Sequence, residues 1–106
     1  MAGPTRLESL LRMLETDPAD AFCLYGVAQE HAGAGRHDEA TAWYRRAIEA
    51  DPSHAYARFH LARSLERLGR LEEAMSTLRE GLQVARTSGD TKAANEIAGY
   101  LDELTP

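Results

Sequence analysis

Two adjacent stretches of equal length decide the fold: residues 17–50, DPADAFCLYGVAQEHAGAGRHDEATAWYRRAIEA, and residues 51–84, DPSHAYARFHLARSLERLGRLEEAMSTLREGLQV. Sliding the first stretch onto the second by 34 positions gives nine identities, beginning with the Asp-Pro pair that opens each stretch. Further pairs agree in kind, such as Tyr25 with Phe59. A period of this length is typical of stacked supersecondary units, each of which buries its apolar face against its neighbours. The chain is therefore predicted to be a repeat protein.

Each unit is predicted to contain two helices joined by a very short turn. In the first unit Leu24, Val27 and Ala28 recur at helical spacing, and Gly35 follows where a helix end favours glycine. Because the turn is so short, the two helices are expected to be antiparallel neighbours. With the flanking segments included, the pattern predicts six helices near residues 5–16, 20–33, 37–50, 54–68, 71–87 and 91–103.

The composition also favours an all-α fold. The chain of 106 residues has room for one domain, and it contains 18 alanines and 13 leucines but only four valines and isoleucines together. A net charge of −5 argues against a nucleic-acid partner. The sequence contains neither an apolar run near the ~20 residues of a membrane span nor a secretory signal. We therefore expect no nucleic acid, no membrane and a cytoplasmic location.

The sequence contains no pattern typical of catalysis or metal binding. Cys23 is the single cysteine, so an internal disulfide and a cysteine-based zinc site are excluded, and its side chain is expected to be buried. No two histidines have the i, i+4 spacing of a helical zinc site. His31 is expected in the core and the other three histidines on the surface. The prediction is no cofactor, no metal and no enzymatic activity, although a fold by itself never excludes a grafted site.

The repeat resembles the tetratricopeptide repeat family, whose pattern is W-x2-L-G-x2-Y, then A-x3-F, then a proline. The two copies here read Leu24-x2-Val27-Ala28-x2-His31, Ala40-x3-Tyr44, Pro52, and Arg58-x2-Leu61-Ala62-x2-Leu65, Ala74-x3-Leu78. The alanines are expected where paired helices approach most closely. The resemblance implies a right-handed α-solenoid in a single domain over residues 1–106. Its parts are an N-terminal half-repeat helix over 5–16, full repeats over 20–52 and 53–88, and a capping helix over 90–104.

The resemblance also implies a functional surface, because in this family the first helix of each repeat lines a concave groove. The inward positions of the first repeat fall on Phe22, Tyr25, Gly26 and Gln29. Together with the second repeat, the capping helix and nearby arginines, the predicted partner-binding groove consists of Phe22, Tyr25, Gln29, Tyr56, Phe59, His60, Arg63, Arg67, Lys92 and Asn95. For Phe22 and Tyr56 the alternative is that they pack between neighbouring repeats and are mostly covered.

The expected function is binding of a protein or peptide partner, because exposed aromatic and arginine side chains are typical of binding hot spots. The expected ligand is an extended or helical segment with apolar anchors and some acidic character. Chaperone-binding members of the family hold a C-terminal carboxylate in a clamp of lysines, asparagines and an arginine. Of the matching positions only Lys92 agrees, and Glu96 would repel a carboxylate, so this adaptor role is not expected.

Self-association is the alternative function. Trp43 lies off the apolar stripe of its helix, so its side chain is expected at the outer surface or the repeat edge rather than in the core. There it is a candidate for a second contact surface, in a homo-oligomer or with another protein. The competing interpretation is that Trp43 simply packs on neighbouring side chains such as Arg46.

Overall fold

The computed structural model describes residues 3–106, and these residues form six α-helices with no β-strand among them. The helices are α1 (Arg6–Thr16), α2 (Ala21–Gly33), α3 (His37–Ala50), α4 (Ala55–Arg67), α5 (Leu71–Ser88) and α6 (Thr91–Leu104). Each helix begins and ends within one residue of the range that the sequence predicts. The all-α fold class is confirmed. None of the helices in residues 3–106 is long and apolar enough to cross a membrane.

The turn inside each repeat is built in the same way. Gly35 has a φ of 79° and Gly69 a φ of 78°, a left-handed conformation that strains residues with a Cβ. After the first glycine, the Arg36 N–H donates to the carbonyl of His31 at 2.9 Å, and the second turn repeats this bond at 2.8 Å. These bonds close the helix end, so α2 packs against α3 and α4 against α5.

The first helix of each repeat starts at a side-chain cap. The Asp20 carboxylate accepts a hydrogen bond from the backbone N–H of Cys23 at 3.0 Å. His54 occupies the equivalent place in the second repeat, and its Nδ1 accepts from the N–H of Ala57 at 2.9 Å. Each cap satisfies an N–H group that the first turn of a helix leaves without a partner. An aspartate in the first repeat and a histidine in the second therefore cap equivalent helices.

Small side chains line the closest helix contacts. The alanines of the repeat pattern, Ala28, Ala40, Ala62 and Ala74, are completely buried. Around them the core extends from α1 to α6 as two adjoining clusters of apolar side chains. Helices that follow one another in sequence are in contact, and α4 also touches α6. The result is an elongated array with extents of 49 × 29 × 20 Å.

Gly26 corrects one expectation about the groove. The resemblance places this residue among the inward positions, but in the structure it faces α1. A Cβ at Gly26 would lie 2.9 Å from the Cδ1 of Leu10. The missing side chain therefore allows α1 and α2 to approach each other, and Gly26 is a packing residue.

The histidines correct a second expectation, because all four are partly buried. His31 stays out of the core: its Nδ1 accepts a hydrogen bond from Nε of Arg36 at 2.9 Å. On the other side of the repeat, Nδ1 of His37 lies 3.0 Å from the hydroxyl of Ser64 and links α3 to α4. An imidazole ring buries its carbon edge and keeps its nitrogens where they find partners, which explains the intermediate positions.

Candidate functional site

Helices α2, α4 and α6 are the first helices of successive units, and they hold two open cavities on either side of α4. One cavity of about 460 Å³ lies between α2 and α4 and is named the α2–α4 cavity. The other, of about 530 Å³, lies between α4 and α6 and is named the α4–α6 cavity. Arg63 and Arg67 line both cavities, since they project from the ridge that separates them. The surface that contains the two cavities is called the groove below.

The α2–α4 cavity is lined by hydrogen-bonding and cationic side chains. The hydroxyl of Tyr44 donates a hydrogen bond to Oε1 of Gln29, which joins α3 to α2 at the cavity wall. His37 and His60 lie on the other walls, and no aspartate or glutamate is among the lining residues. Burial raises the pKa of Tyr44, so the phenol remains protonated and keeps its role as a donor.

The α4–α6 cavity combines aromatic rings with carboxylates. Phe59 and Tyr100 meet across it with ring centroids 5.4 Å apart, at an interplanar angle of 61°. The hydroxyl of Tyr100 donates to Oε1 of Glu66 at 2.5 Å and so connects α6 to α4. Glu96 and Glu103 also line this cavity. The two sides of α4 therefore differ in charge, because all three carboxylates lie on the α6 side.

A continuous chain of rings connects the two cavities. Tyr25 of α2 lies 5.9 Å from His60 between ring centroids, and His60 lies 5.2 Å from Phe59, which in turn contacts Tyr100. Tyr56 adds an edge contact to Phe59 at 6.3 Å. Tilted and edge-on pairs of this kind hold the rings in fixed positions. The groove therefore has a preformed aromatic floor.

His60 is the titratable group at the centre of this floor. Burial, with a further contribution from the charge of Arg63, lowers its pKa to about 4. The ring is therefore neutral near pH 7, and the positive charge of the α2–α4 cavity comes from Arg63 and Arg67. No ion pair involves either arginine in the part of the chain that the structure describes.

The ten residues predicted for the groove fall into two sets. Six of them line the two cavities: Gln29, Phe59, His60, Arg63, Arg67 and Asn95. The other four, Phe22, Tyr25, Tyr56 and Lys92, line neither cavity. Among these, Tyr25 and Tyr56 are partly buried and support the ring chain, while Lys92 is exposed at the start of α6. Phe22 is 68% exposed, so the alternative that it is covered between repeats is wrong.

The observed position of the Trp43 side chain agrees only in part with its predicted orientation. The indole is partly exposed, as expected for a side chain outside the core, but it also packs against both core clusters. The guanidinium of Arg46 sits 4.4 Å from the ring centroid, and the ring of His31 stacks at 6.4 Å. These contacts favour packing on neighbouring side chains over a free contact surface.

Several cavity residues are missing from the predicted set. Glu66, Tyr100 and Glu103 lie further along α4 and α6 than the positions that the resemblance supplies, and Tyr44 enters the sequence analysis only through the A-x3-F part of the repeat pattern. Tyr44 is buried, but its hydroxyl reaches the α2–α4 cavity. The available sequence signal was a charged residue one helical turn further along: Glu66 follows Arg63 by three positions and Glu103 follows Gly99 by four.

Neither a reactive cysteine nor a metal-binding cluster of the described residues contributes to the groove. Cys23 is buried, and burial raises the pKa of its thiol. Within residues 3–106 no group of three or more histidine, cysteine, aspartate or glutamate side chains is arranged to hold a metal ion.

The paired helices, equal turns and buried alanines define an α-helical repeat protein. A family profile described as Tetratricopeptide repeat matches residues 31–95, and a second profile with the same description matches residues 5–55. The chain belongs to the tetratricopeptide repeat family. No match was found among curated protein sequences.

Several solved structures have a similar fold. A tetratricopeptide repeat domain protein from Salinibacter ruber is 33% identical, with a TM-score of 0.77 over 83% of this chain and 89% of that one. The type III secretion chaperone SycD from Yersinia enterocolitica, in complex with a peptide of the translocator YopD, is 20% identical; its TM-score is 0.84 over 92% and 76% of the two chains. PcrH from Pseudomonas aeruginosa is also 20% identical, with a TM-score of 0.87 over 94% and 76%.

Proposed function

We propose that this chain is a protein-binding module that holds a peptide or helical segment of a partner in the groove. The observation that carries the proposal is the aromatic floor from Tyr25 to Tyr100, together with Arg63 and Arg67, which line both cavities and form no ion pair with another described residue. Aromatic and arginine side chains supply most of the free energy in binding hot spots. A partner that covers this floor removes apolar surface from water and gives the guanidinium groups their acceptors.

Two structural neighbours support a ligand of this kind. SycD has been solved with a peptide of YopD, and PcrH with the chaperone-binding region of PopD. Both proteins share this fold at about one-fifth sequence identity, and this chain covers roughly three quarters of each. A binding role needs no catalytic group, and we propose that the module is a non-enzymatic scaffold without a cofactor.

The test uses the whole chain and peptides selected from a random display library, with binding sites mapped by amide chemical shifts. Phe59→Ala should reduce the binding free energy of the selected peptides by about 1–2 kcal/mol, roughly a five- to thirty-fold increase in Kd, while the circular dichroism spectrum stays unchanged. Leu71→Ala is the matched control, because Leu71 is an exposed apolar residue of α5 outside the groove. Shifts confined to the outer helices α1, α3 and α5 would contradict the proposal.

Self-association is a second candidate, favoured by one observation. Leu11 and Met13 of α1 and the ring of Phe22 are large apolar side chains left exposed near the first helix of the array. Apolar surface of this kind at the end of a stack is available for a second copy. Light scattering during size-exclusion chromatography separates the candidates: a dimer that becomes a monomer in Met13→Glu and Phe22→Ser assigns this surface to assembly. A protein that is monomeric at all concentrations would exclude self-association through this surface.

A further inference from the structure

Four charged side chains of the groove form no ion pair with another described residue. Some arginines elsewhere do pair with glutamates, as Arg45 does with Glu73 at 2.8 Å. Within the described residues, no ion pair involves Arg63, Arg67, Glu96 or Glu103. Arg63 and Arg67 stand one helical turn apart, and like charges at that spacing destabilise a helix slightly. No ion pair among the described residues therefore competes with a partner for these four charges.

The carboxylates of the groove are confined to one side of α4. Arg63 and Arg67 line both cavities, but the α2–α4 cavity has no carboxylate among its lining residues, while Glu66, Glu96 and Glu103 all line the α4–α6 cavity. The aromatic pair Phe59 and Tyr100 also lines the α4–α6 cavity. From α2 towards α6, a ligand therefore meets a cavity with positive charge only, then a cavity with aromatic rings in which carboxylates outnumber the arginines.

We propose that the partner segment is dipolar: an acidic residue enters the α2–α4 cavity, an apolar residue covers Phe59 and Tyr100, and a basic residue faces the carboxylates of the α4–α6 cavity. This inference rests on the proposed function and adds the chemical class of the partner. Charge complementarity of this kind selects partners and sets their direction more than it raises affinity. It also excludes uniformly acidic ligands, which Glu96 and Glu103 repel.

The spacing of the charges in the partner follows from the width of a helix. The two cavities flank α4, so their centres are separated by about one helix diameter, ~10 Å. An extended peptide advances about 3.3 Å per residue. The acidic and basic residues are therefore expected about three residues apart, with the apolar residue between them.

The experiment compares two synthetic peptides of identical composition against the whole chain by fluorescence anisotropy. In the first peptide one acidic and one basic residue flank a leucine at the spacing given above. In the second the two charges are adjacent at one end. Both chain directions are synthesised, because the groove does not set the polarity of the backbone. The charge-separated peptide should bind at least about ten-fold more tightly than its isomer in one of the two directions.

Variants assign each charge to its cavity. Arg67→Gln should remove the preference for the acidic residue, and Glu103→Gln the preference for the basic one, each with about a five-fold loss for the separated peptide. Arg79→Gln and Glu49→Gln are matched controls, because both residues are exposed on the outer helices and line neither groove cavity. Circular dichroism verifies folding, and the peptide isomers test the proposal even where a variant fails to fold.

The outcomes separate this inference from the function on which it rests. If library peptides perturb the amide shifts of α4 and α6 but show no charge order, and the isomers bind equally, the dipolar partner is wrong while the peptide-binding groove stands. If no selected or designed peptide perturbs the amide shifts of the groove residues, both the peptide-binding groove and the dipolar partner are wrong. Charge-ordered peptides that lose their preference in Arg67→Gln and Glu103→Gln support both.

Discussion

The two full repeats are the same scaffold with different surfaces. Small residues that the two repeats share, such as Ala28 with Ala62 and Gly35 with Gly69, are completely buried or hold the turns. Positions that differ, such as Gly26 with His60 and Gln29 with Arg63, face a neighbouring helix or the groove. The comparison separates residues that specify the helix pair from residues that adapt it, so each class should respond differently to substitution.

The largest effect is expected at the shared alanines. Ala40→Leu and Ala74→Leu should each lower the free energy of unfolding by about 1–3 kcal/mol, because both sites are completely buried at a close helix contact. Chemical denaturation measures the loss. Ala42→Leu is the control, since Ala42 is exposed on the same helix as Ala40 and should be nearly neutral. Equal stability of all three variants would show that the repeat assignment is wrong.

The next effect belongs to His60, whose counterpart in the first repeat is Gly26. Its pKa of about 4 lies below the unfolded value of about 6.5, so the unfolded chain binds the proton more readily. The contribution of His60 to stability is complete above about pH 6.5 and is lost as the pH falls toward 4. Wild type should therefore lose about 1–2 kcal/mol more than His60→Gln between pH 7 and pH 5 in urea titrations. Parallel losses in the two proteins would refute this assignment.

The turn glycines should respond equally in both repeats. Gly35→Ala and Gly69→Ala each place a Cβ in a left-handed conformation and should cost about 1 kcal/mol. Gly33→Ala provides the contrast, because Gly33 ends α2 with open space around it and without a positive φ. Thermal melts of the three variants measure the difference. A clear inequality between Gly35 and Gly69 would mean that the two turns are not equivalent.

The smallest effect concerns the Trp43–Arg46 pair, which exists only in the first repeat. Removing the guanidinium by Arg46→Ala should cost about 0.5 kcal/mol and make the indole more accessible to a fluorescence quencher. Arg79→Ala, an exposed arginine in the second repeat, is the control. Unchanged quenching in Arg46→Ala would show that the cation does not cover Trp43 in solution.

The fold was predictable because its signals are local. Glycine after each first helix, Asp-Pro before it and apolar residues at helical spacing each act over a few residues, so the helix bounds agree within one position. The groove was less predictable. Gln29, Phe59 and Arg63 line its cavities as expected from their helical positions, but Tyr100 and Glu66 meet because α4 and α6 pack together, where they share a hydrogen bond. That bond joins residues 34 positions apart.

The sequence by itself determined the helices, their pairing and the family. Only the tertiary structure decided that Gly26 faces Leu10, that Phe22 stays exposed while Trp43 is covered, and that the carboxylates gather on one side of α4. The physical reason is the range of the interactions. Helix formation and capping depend on residues within one or two turns, whereas the surroundings of a side chain depend on how helices that are distant in sequence cross and pack.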